Sequence, residues 1–198
     1  TCNYRCSYCW PDCHAGTSCW PILENACKSF DHIIKTYRSI GKEEIRLNLT
    51  GGEPTLWPKL KDFIKYIRSR HDIRITITTN GSRTIRWWDE HAELFNDIHI
   101  SLHHQYADIN HVINVANIVY SKQTTMIGVG ALMDPDAWEA CVANVDAMLN
   151  SNSEWMVKVV PLRDHTQEEK TMDYTEQQME YIKEKIKRFP PQEFIDKM

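Results

Sequence analysis

The chain has 198 residues, a formal net charge of −4, 42% hydrophobic residues and 25% charged ones. That is enough chain for one domain-sized core at ordinary globular composition, and the charge argues against a chain-wide basic surface for gripping nucleic acid or anionic lipid. No apolar run approaches the roughly 20 residues of a membrane-spanning helix.

The chain opens on TCNYRCSYCWPDC, and of its seven cysteines only Cys141 lies beyond residue 27. A disulfide scaffold would spread its bridges over the fold. Cysteines crowded into one stretch point instead to metal ligands in a reducing compartment. Residues 21–40 then carry apolar side chains at Ile22, Ala26, Phe30, Ile33, Ile34 and Tyr37, a helical spacing with Gly41 as its stop. Residues 44–50 alternate as a strand, 57–70 read as a helix with Pro58 near its first turn, and 74–80 alternate again. A short helix over 87–95 opens on Trp87 and Trp88, for which packing is the simple expectation. A strand follows at 97–103, a helix at 107–121 and a strand at 124–133. The spacing predicts a helix over 135–150 with Asp134 as N-cap, a strand over 155–162, and a last helix over 175–189 opened by Thr175. This alternation predicts βαβ units around a parallel sheet in one domain, with no linker or low-complexity run to divide it.

The strands carry a further signal. Parallel strands covered on both faces read as continuous apolar runs. Here Ile75 and Ile77 oppose Thr76, Thr78 and Asn80, and Ile98, Ile100 and Leu102 oppose His99, Ser101 and His103. Ile45, Leu47 and Leu49 likewise oppose Arg46, Asn48 and Thr50. One apolar face meets helices, and the other is polar. That predicts a curved sheet closing partway into a barrel with a wet or ligand-filled interior. A flat sheet with one solvated face is the plainer alternative.

Cys2, Cys6 and Cys9 have the spacing C-x3-C-x2-C. Three thiolates can hold three irons of a [4Fe–4S] cluster and leave the fourth iron open to an outside ligand. A structural zinc site drawn from Cys2, Cys6, Cys9, Cys13, His14 and Cys19 is the bland alternative, although zinc usually takes paired ligands separated by a longer loop.

CNYRCSYC resembles the cysteine loop of the radical S-adenosylmethionine (radical SAM) superfamily, which usually places an aromatic residue, here Tyr8, before the third cysteine. GGEPT at 51–55 resembles the family's GGE motif after the second strand, and TTNGS at 78–82 and ISLH at 100–103 follow in family order. The resemblance covers about residues 2–162, and its motifs fall where a barrel enzyme keeps its site, at the C-terminal ends of strands.

The resemblance implies a partial (β/α)6 TIM-like barrel. In the family the cysteine loop follows the first strand. Only Thr1 precedes Cys2 here, so the expectation is a radical SAM core domain over 1–198 that lacks that strand and could also lack a C-terminal extension beyond Met198. It also implies that Cys2, Cys6 and Cys9 ligate a [4Fe–4S] cluster and that S-adenosylmethionine is the second cofactor. Tyr8 would lie against its adenine. Gly51, Gly52 and Glu53 would meet its amino group, and Thr78, Asn80 and Ser101 its ribose or carboxylate. Val129 and Leu162 would flank the adenine. For Tyr8 a packed loop tyrosine is a fair competitor, for GGEP a tight turn, and for the polar strand residues ordinary barrel lining.

His103 stands where many relatives carry an acidic residue, so the family's ribose contact is not carried over to it. His103 and His104 could serve substrate binding or be structural. Lys158 and Arg163 could meet a substrate anion, with solvated surface residues as the simpler reading. Cys27 is expected to be buried as a small apolar residue. Cys13 and Cys19 are expected to be loop residues, with pairing to cysteines outside this sequence as the alternative. The reaction implied is reductive cleavage of S-adenosylmethionine to a 5′-deoxyadenosyl radical that abstracts a hydrogen atom from a small-molecule or peptide substrate. A flavodoxin- or ferredoxin-like protein would be the reductant, in the cytoplasm, with no membrane and no bulk nucleic acid as partner. An iron–sulfur electron carrier and a zinc-binding interaction module are the competing classes. A carrier would need a fourth protein ligand, for which Cys13 is the nearest candidate.

Overall fold

The computed structural model describes residues 1–9, 20–122, 127–151, 155–163 and 170–186. Cys13, His14 and Cys19 lie outside them. Helix α1 (Leu23–Ser39) buries Cys27, Phe30 and Ile34 and ends before Gly41, whose amide donates to the Arg38 carbonyl. Strand β1 (Arg46–Leu49) is shorter than its alternation predicts, because the backbone turns at Gly51. Helix α2 (Leu60–Arg70) starts after a 3-10 turn at Pro54–Leu56. Strand β2 (Arg74–Thr79) leads to α3 (Ile85–His91), which starts two residues before its expected position because the Thr84 hydroxyl accepts from the Trp87 N–H at 3.2 Å. Trp88 is fully buried, and Trp87 stacks on His91.

Strand β3 (Asp97–Leu102), helix α4 (Ile109–Lys122) and strand β4 (Ile127–Met133) follow. Asp134 accepts from the Asp136 N–H and so caps a 3-10 turn that runs into α5 (Trp138–Ser151). Strand β5 (Met156–Pro161) precedes α6 (Glu176–Ile186). At the start of α6, Thr175 and Gln178 exchange side-chain to backbone hydrogen bonds at 2.9 and 3.2 Å, a capping box.

The strands form one sheet in the order β1-β2-β3-β4-β5, every pair parallel. Sequential order with right-handed crossovers sends each connecting helix to the same side of the sheet. The core follows that geometry: Ile75, Ile77, Ile98, Ile100, Val129 and Ala131 are at most 1% exposed and pack against Ile64, Ile67, Val112, Val115 and Val145. The opposite face carries half-buried Thr76, Thr78, His99 and Ser101 and exposed Lys158. The fold is therefore α/β, and among the described residues it is a five-stranded parallel sheet that does not close, consistent with a partial TIM-like barrel. No helix among the described residues is long and apolar enough to cross a membrane.

Candidate functional site

The cysteine loop lies across the C-terminal ends of the strands and is tied to the segments that follow β1, β2 and β3. After β1, the Glu53 N–H donates to the Thr1 carbonyl at 2.9 Å. The two glycines before it play different parts. Gly52 has φ +55°, and a Cβ there would lie 2.4 Å from the Thr1 carbonyl oxygen. Gly51 has φ +87°, and a Cβ there would meet nothing within 4 Å. The close approach that requires a glycine at 52 is thus made by the chain itself, and Gly51 is the one that faces open space.

Glu53 has no exposed surface. Its Oε1 accepts from the Thr55 N–H at 3.0 Å, the Thr55 hydroxyl at 2.5 Å and the Thr79 hydroxyl at 2.8 Å. Its Oε2 accepts from the Asn80 N–H at 2.6 Å. The carboxylate sits in a set of donors that joins the loop after β1 to the loop after β2.

Asn80, 4% exposed, carries the connection on to the cysteines. Its side-chain amide donates to Asn3 Oδ1 at 2.9 Å and lies 3.7 Å from Cys2 Sγ, while its Oδ1 accepts from the Ser82 N–H at 3.0 Å. Asn3 in turn donates to the Ser82 hydroxyl at 3.0 Å. The same loop is anchored from behind, where the His111 Nε2 lies 3.1 Å from the carbonyls of Gly81 and of Arg83 and Arg83 donates to the Thr55 carbonyl.

The segment after β3 grips the cysteine loop from the other side. His103 Nδ1 lies 3.4 Å from Cys6 Sγ and 3.2 Å from the Tyr8 hydroxyl. The Tyr8 ring stacks on His103 and on His104. Ser7 and Gln105 exchange hydrogen bonds at 2.9 and 2.7 Å. Tyr106 stacks on Tyr4 with centroids 5.3 Å apart and donates to the Arg5 carbonyl at 3.1 Å. Cys6, Tyr8 and Leu162 form a small buried cluster of their own, joined by Tyr4, Cys9, Leu132 and Met172.

The structure thus brings Cys2, Cys6, Cys9, Tyr8, Gly51, Gly52, Glu53 and Asn80 into one constellation. Thr78 and Ser101 stand half-buried on the polar face beneath it. Val129 is a correction. It faces the helices and is fully buried in the main core, because the residues of β4 on the polar face are the even-numbered Gly128, Gly130 and Leu132. Lys158 is exposed on β5, and Arg163 is exposed and bridges to Thr171. Cys27 is buried in the core as expected. Sequence reasoning passed over Asn3, Gln105, Tyr106 and His111. The first three lay within or directly after quoted motifs and could have been found there. His111 had no local signal, since its partners are about thirty residues away.

Burial pushes the Cys6 thiol up, partly offset by a hydrogen bond from Tyr8. Burial and the neighbouring His104 push His103 down to about 4, so its imidazole is neutral at physiological pH. Burial, then the charge on Cys6, pushes the Tyr8 hydroxyl well above the ordinary phenol range.

These residues fit an iron–sulfur cluster. Among the described residues no three His, Cys, Asp or Glu side chains converge on a point where one metal ion could sit. A cubane asks for something else, one thiolate per iron from a short loop. Polar groups stand beside two of the sulfurs: the Tyr4 N–H lies 3.4 Å from Cys2 Sγ, with the Asn80 amide at 3.7 Å, and His103 Nδ1 lies 3.4 Å from Cys6 Sγ. Coordination would displace the thiol protons, as metal binding to cysteine does.

The family model of the radical SAM superfamily matches residues 1–127. The chain is also similar to three bacterial proteins named GTP 3',8-cyclase. It is 36% identical over 86 residues to the one from Pectobacterium atrosepticum, covering 43% of this chain and 26% of that protein. It is 40% identical over 86 residues to the one from Haemophilus influenzae, covering 41% and 24%. It is 37% identical over 89 residues to the one from Cronobacter sakazakii, covering 43% and 26%. The chain therefore spans about a quarter of the length of the curated relatives it matches.

Proposed function

The chain belongs to the radical SAM superfamily, and from that premise we propose that it is the core of an enzyme that cleaves S-adenosylmethionine reductively to start radical chemistry on a small-molecule or peptide substrate. The observation that carries this reading is the clamped cysteine loop: three unbridged cysteines within nine residues, held by the segments after three successive strands. When bound, the cluster and S-adenosylmethionine supply one electron, a broken C–S bond and a 5′-deoxyadenosyl radical that abstracts a hydrogen atom.

The protein's part is binding and placement. Cys2, Cys6 and Cys9 ligate the cluster. The turn at Gly51 and Gly52 and the polar side chains Thr78, Asn80 and Ser101 line the ground on which the second cofactor rests, with Tyr8 at its margin. Glu53 belongs to the same site, and its four protein donors make it the group that holds the turn in shape. A flavodoxin- or ferredoxin-like protein supplies the electron. The unbridged cysteines suit the cytoplasm, where thiols stay reduced. The relatives' name makes GTP one small molecule to try as substrate.

The test is to reconstitute the full-length protein anaerobically with iron and sulfide, add dithionite and S-adenosylmethionine, and measure 5′-deoxyadenosine by mass spectrometry. Product that disappears in Cys6→Ser supports the reading. A loaded cluster whose EPR signal does not respond to S-adenosylmethionine, and which forms no product with GTP or without it, overturns it.

A further inference from the structure

We propose that His103 raises the reduction potential of the cluster by donating its Nδ1–H to the thiolate of Cys6. The proposal rests on the cysteine loop holding a cluster, as set out above. Its ground is the geometry around one buried sulfur. His103 Nδ1 lies 3.4 Å from Cys6 Sγ, within hydrogen-bond reach for sulfur. The imidazole is held in place on two sides. It stacks on Tyr8 with centroids 6.0 Å apart and planes 7° from parallel, and it meets Tyr4 edge-on at 5.9 Å. The residue before it, Leu102, is 2% exposed and ends β3, so the strand fixes the direction from which the ring approaches.

A neutral imidazole has one N–H and one acceptor nitrogen. Cys6 as a thiolate ligand has no proton to give, so it selects the tautomer with the proton on Nδ1. The Tyr8 hydroxyl, 3.2 Å from the same nitrogen, can then turn its own proton to the sulfur. Cys6 would then have two side-chain donors, as Cys2 has the Tyr4 N–H and the Asn80 amide.

The consequence is electronic. One-electron reduction places more negative charge on the cluster and its thiolates. A hydrogen bond to a ligand sulfur stabilises that charge more than the oxidised state, and the potential rises.

The experiment is an EPR-monitored redox titration, with dithionite as reductant, of reconstituted wild type, His103→Phe and His103→Asn. Phenylalanine keeps a ring against Tyr8 and removes the N–H. Asparagine returns an amide N–H near the place of Nδ1. The expected result is a fall of about tenfold in the equilibrium constant for reduction in His103→Phe, about 59 mV for a one-electron couple, with most of it restored in His103→Asn. An unchanged potential in His103→Phe at wild-type iron content overturns the inference. So does an asparagine variant no closer to wild type than the phenylalanine one. Loss of iron in both variants, with the remaining cluster at the wild-type potential, also overturns it and leaves His103 a packing role. A wild-type protein that assembles no [4Fe–4S] cluster overturns the proposed function itself and this inference with it.

Discussion

The Glu53 carboxylate accepts the backbone N–H of Asn80 at 2.6 Å, across two loops that follow neighbouring strands. Three further donors, from Thr55 and Thr79, fill its other oxygen, and no part of the side chain is exposed. Removing one partner from such a set leaves buried donors without acceptors, at about 1–3 kcal/mol each. Glu53→Gln keeps the shape but turns an NH2 towards one of those donors. It should cost about 2 kcal/mol, read as a lowered urea midpoint with an unchanged m-value. Glu53→Ala should cost more, because a cavity is added. A Glu53→Gln protein as stable as wild type would mean that the carboxylate does not organise the loops.

The two glycines of the turn separate under substitution. Gly51→Ala meets open space and carries only the left-handed backbone penalty, about 1–2 kcal/mol. Gly52→Ala carries the same penalty and drives a Cβ to 2.4 Å from the Thr1 carbonyl oxygen, so the start of the cysteine loop must move. Iron content after reconstitution should therefore drop steeply in Gly52→Ala and stay near wild type in Gly51→Ala. Equal iron loss in both would show that the turn's conformation, and not the contact with Thr1, places the cysteines.

Much of this arrangement was legible in the sequence, and the reason is periodicity. Strict alternation in 74–80 and 97–103 assigned Ile75, Ile77, Ile98 and Ile100 to the helix side, where they are buried, because a period of two leaves no other choice once one face is apolar. Asp134 and Thr175 announced the caps they provide. Where alternation loses contrast, the reading failed. Residues 127–133 are apolar on both parities, IGVGALM, so alternation assigns Val129 to neither face, and it is buried in the main core instead of standing beside the expected adenine. Contacts between distant segments left no local trace either. Glu53 with Thr79, His111 with Gly81 and Asn3 with Asn80 each join residues more than twenty-five positions apart, and only the fold brings them together.

Arg74 and Asp97, neighbours on β2 and β3, form a two-pronged ion pair at 2.6 and 2.5 Å, and the Thr76 hydroxyl adds a bond at 3.1 Å. Burial alone would raise the Asp97 carboxyl, but the Arg74 hydrogen bonds and charge outweigh it and hold the group below the usual carboxylate range. The partners are unequally exposed, at 36% for the Arg74 side chain and 7% for Asp97. Arg74 can turn to water if its partner goes, whereas Asp97 cannot. Arg74→Met should therefore cost more than Asp97→Asn, about 3 against about 1.5 kcal/mol. Chemical denaturation at pH 7 measures both, and the reverse order would show that the arginine is the group held at a cost.

His99 projects from β3 onto the polar face of the sheet, and burial followed by the charge of Lys158 holds its imidazole below the usual histidine value, with Asp97 opposing them. Between the lowered folded value and the ordinary value of about 6.5, the unfolded chain binds the proton and the folded chain does not. Stability therefore rises with pH across that window and is lost as pH falls below about 6.5, by no more than about 1.4 kcal/mol per pH unit for this one group. His103 titrates with the same sign, so one substitution leaves part of the slope. Urea midpoints of wild type and His99→Gln between pH 7.5 and 5 should diverge on acidification, with the variant the flatter of the two. Parallel curves would mean that His99 takes up its proton in the folded state as easily as in the unfolded chain, and that the polar face is wetter than its partners imply.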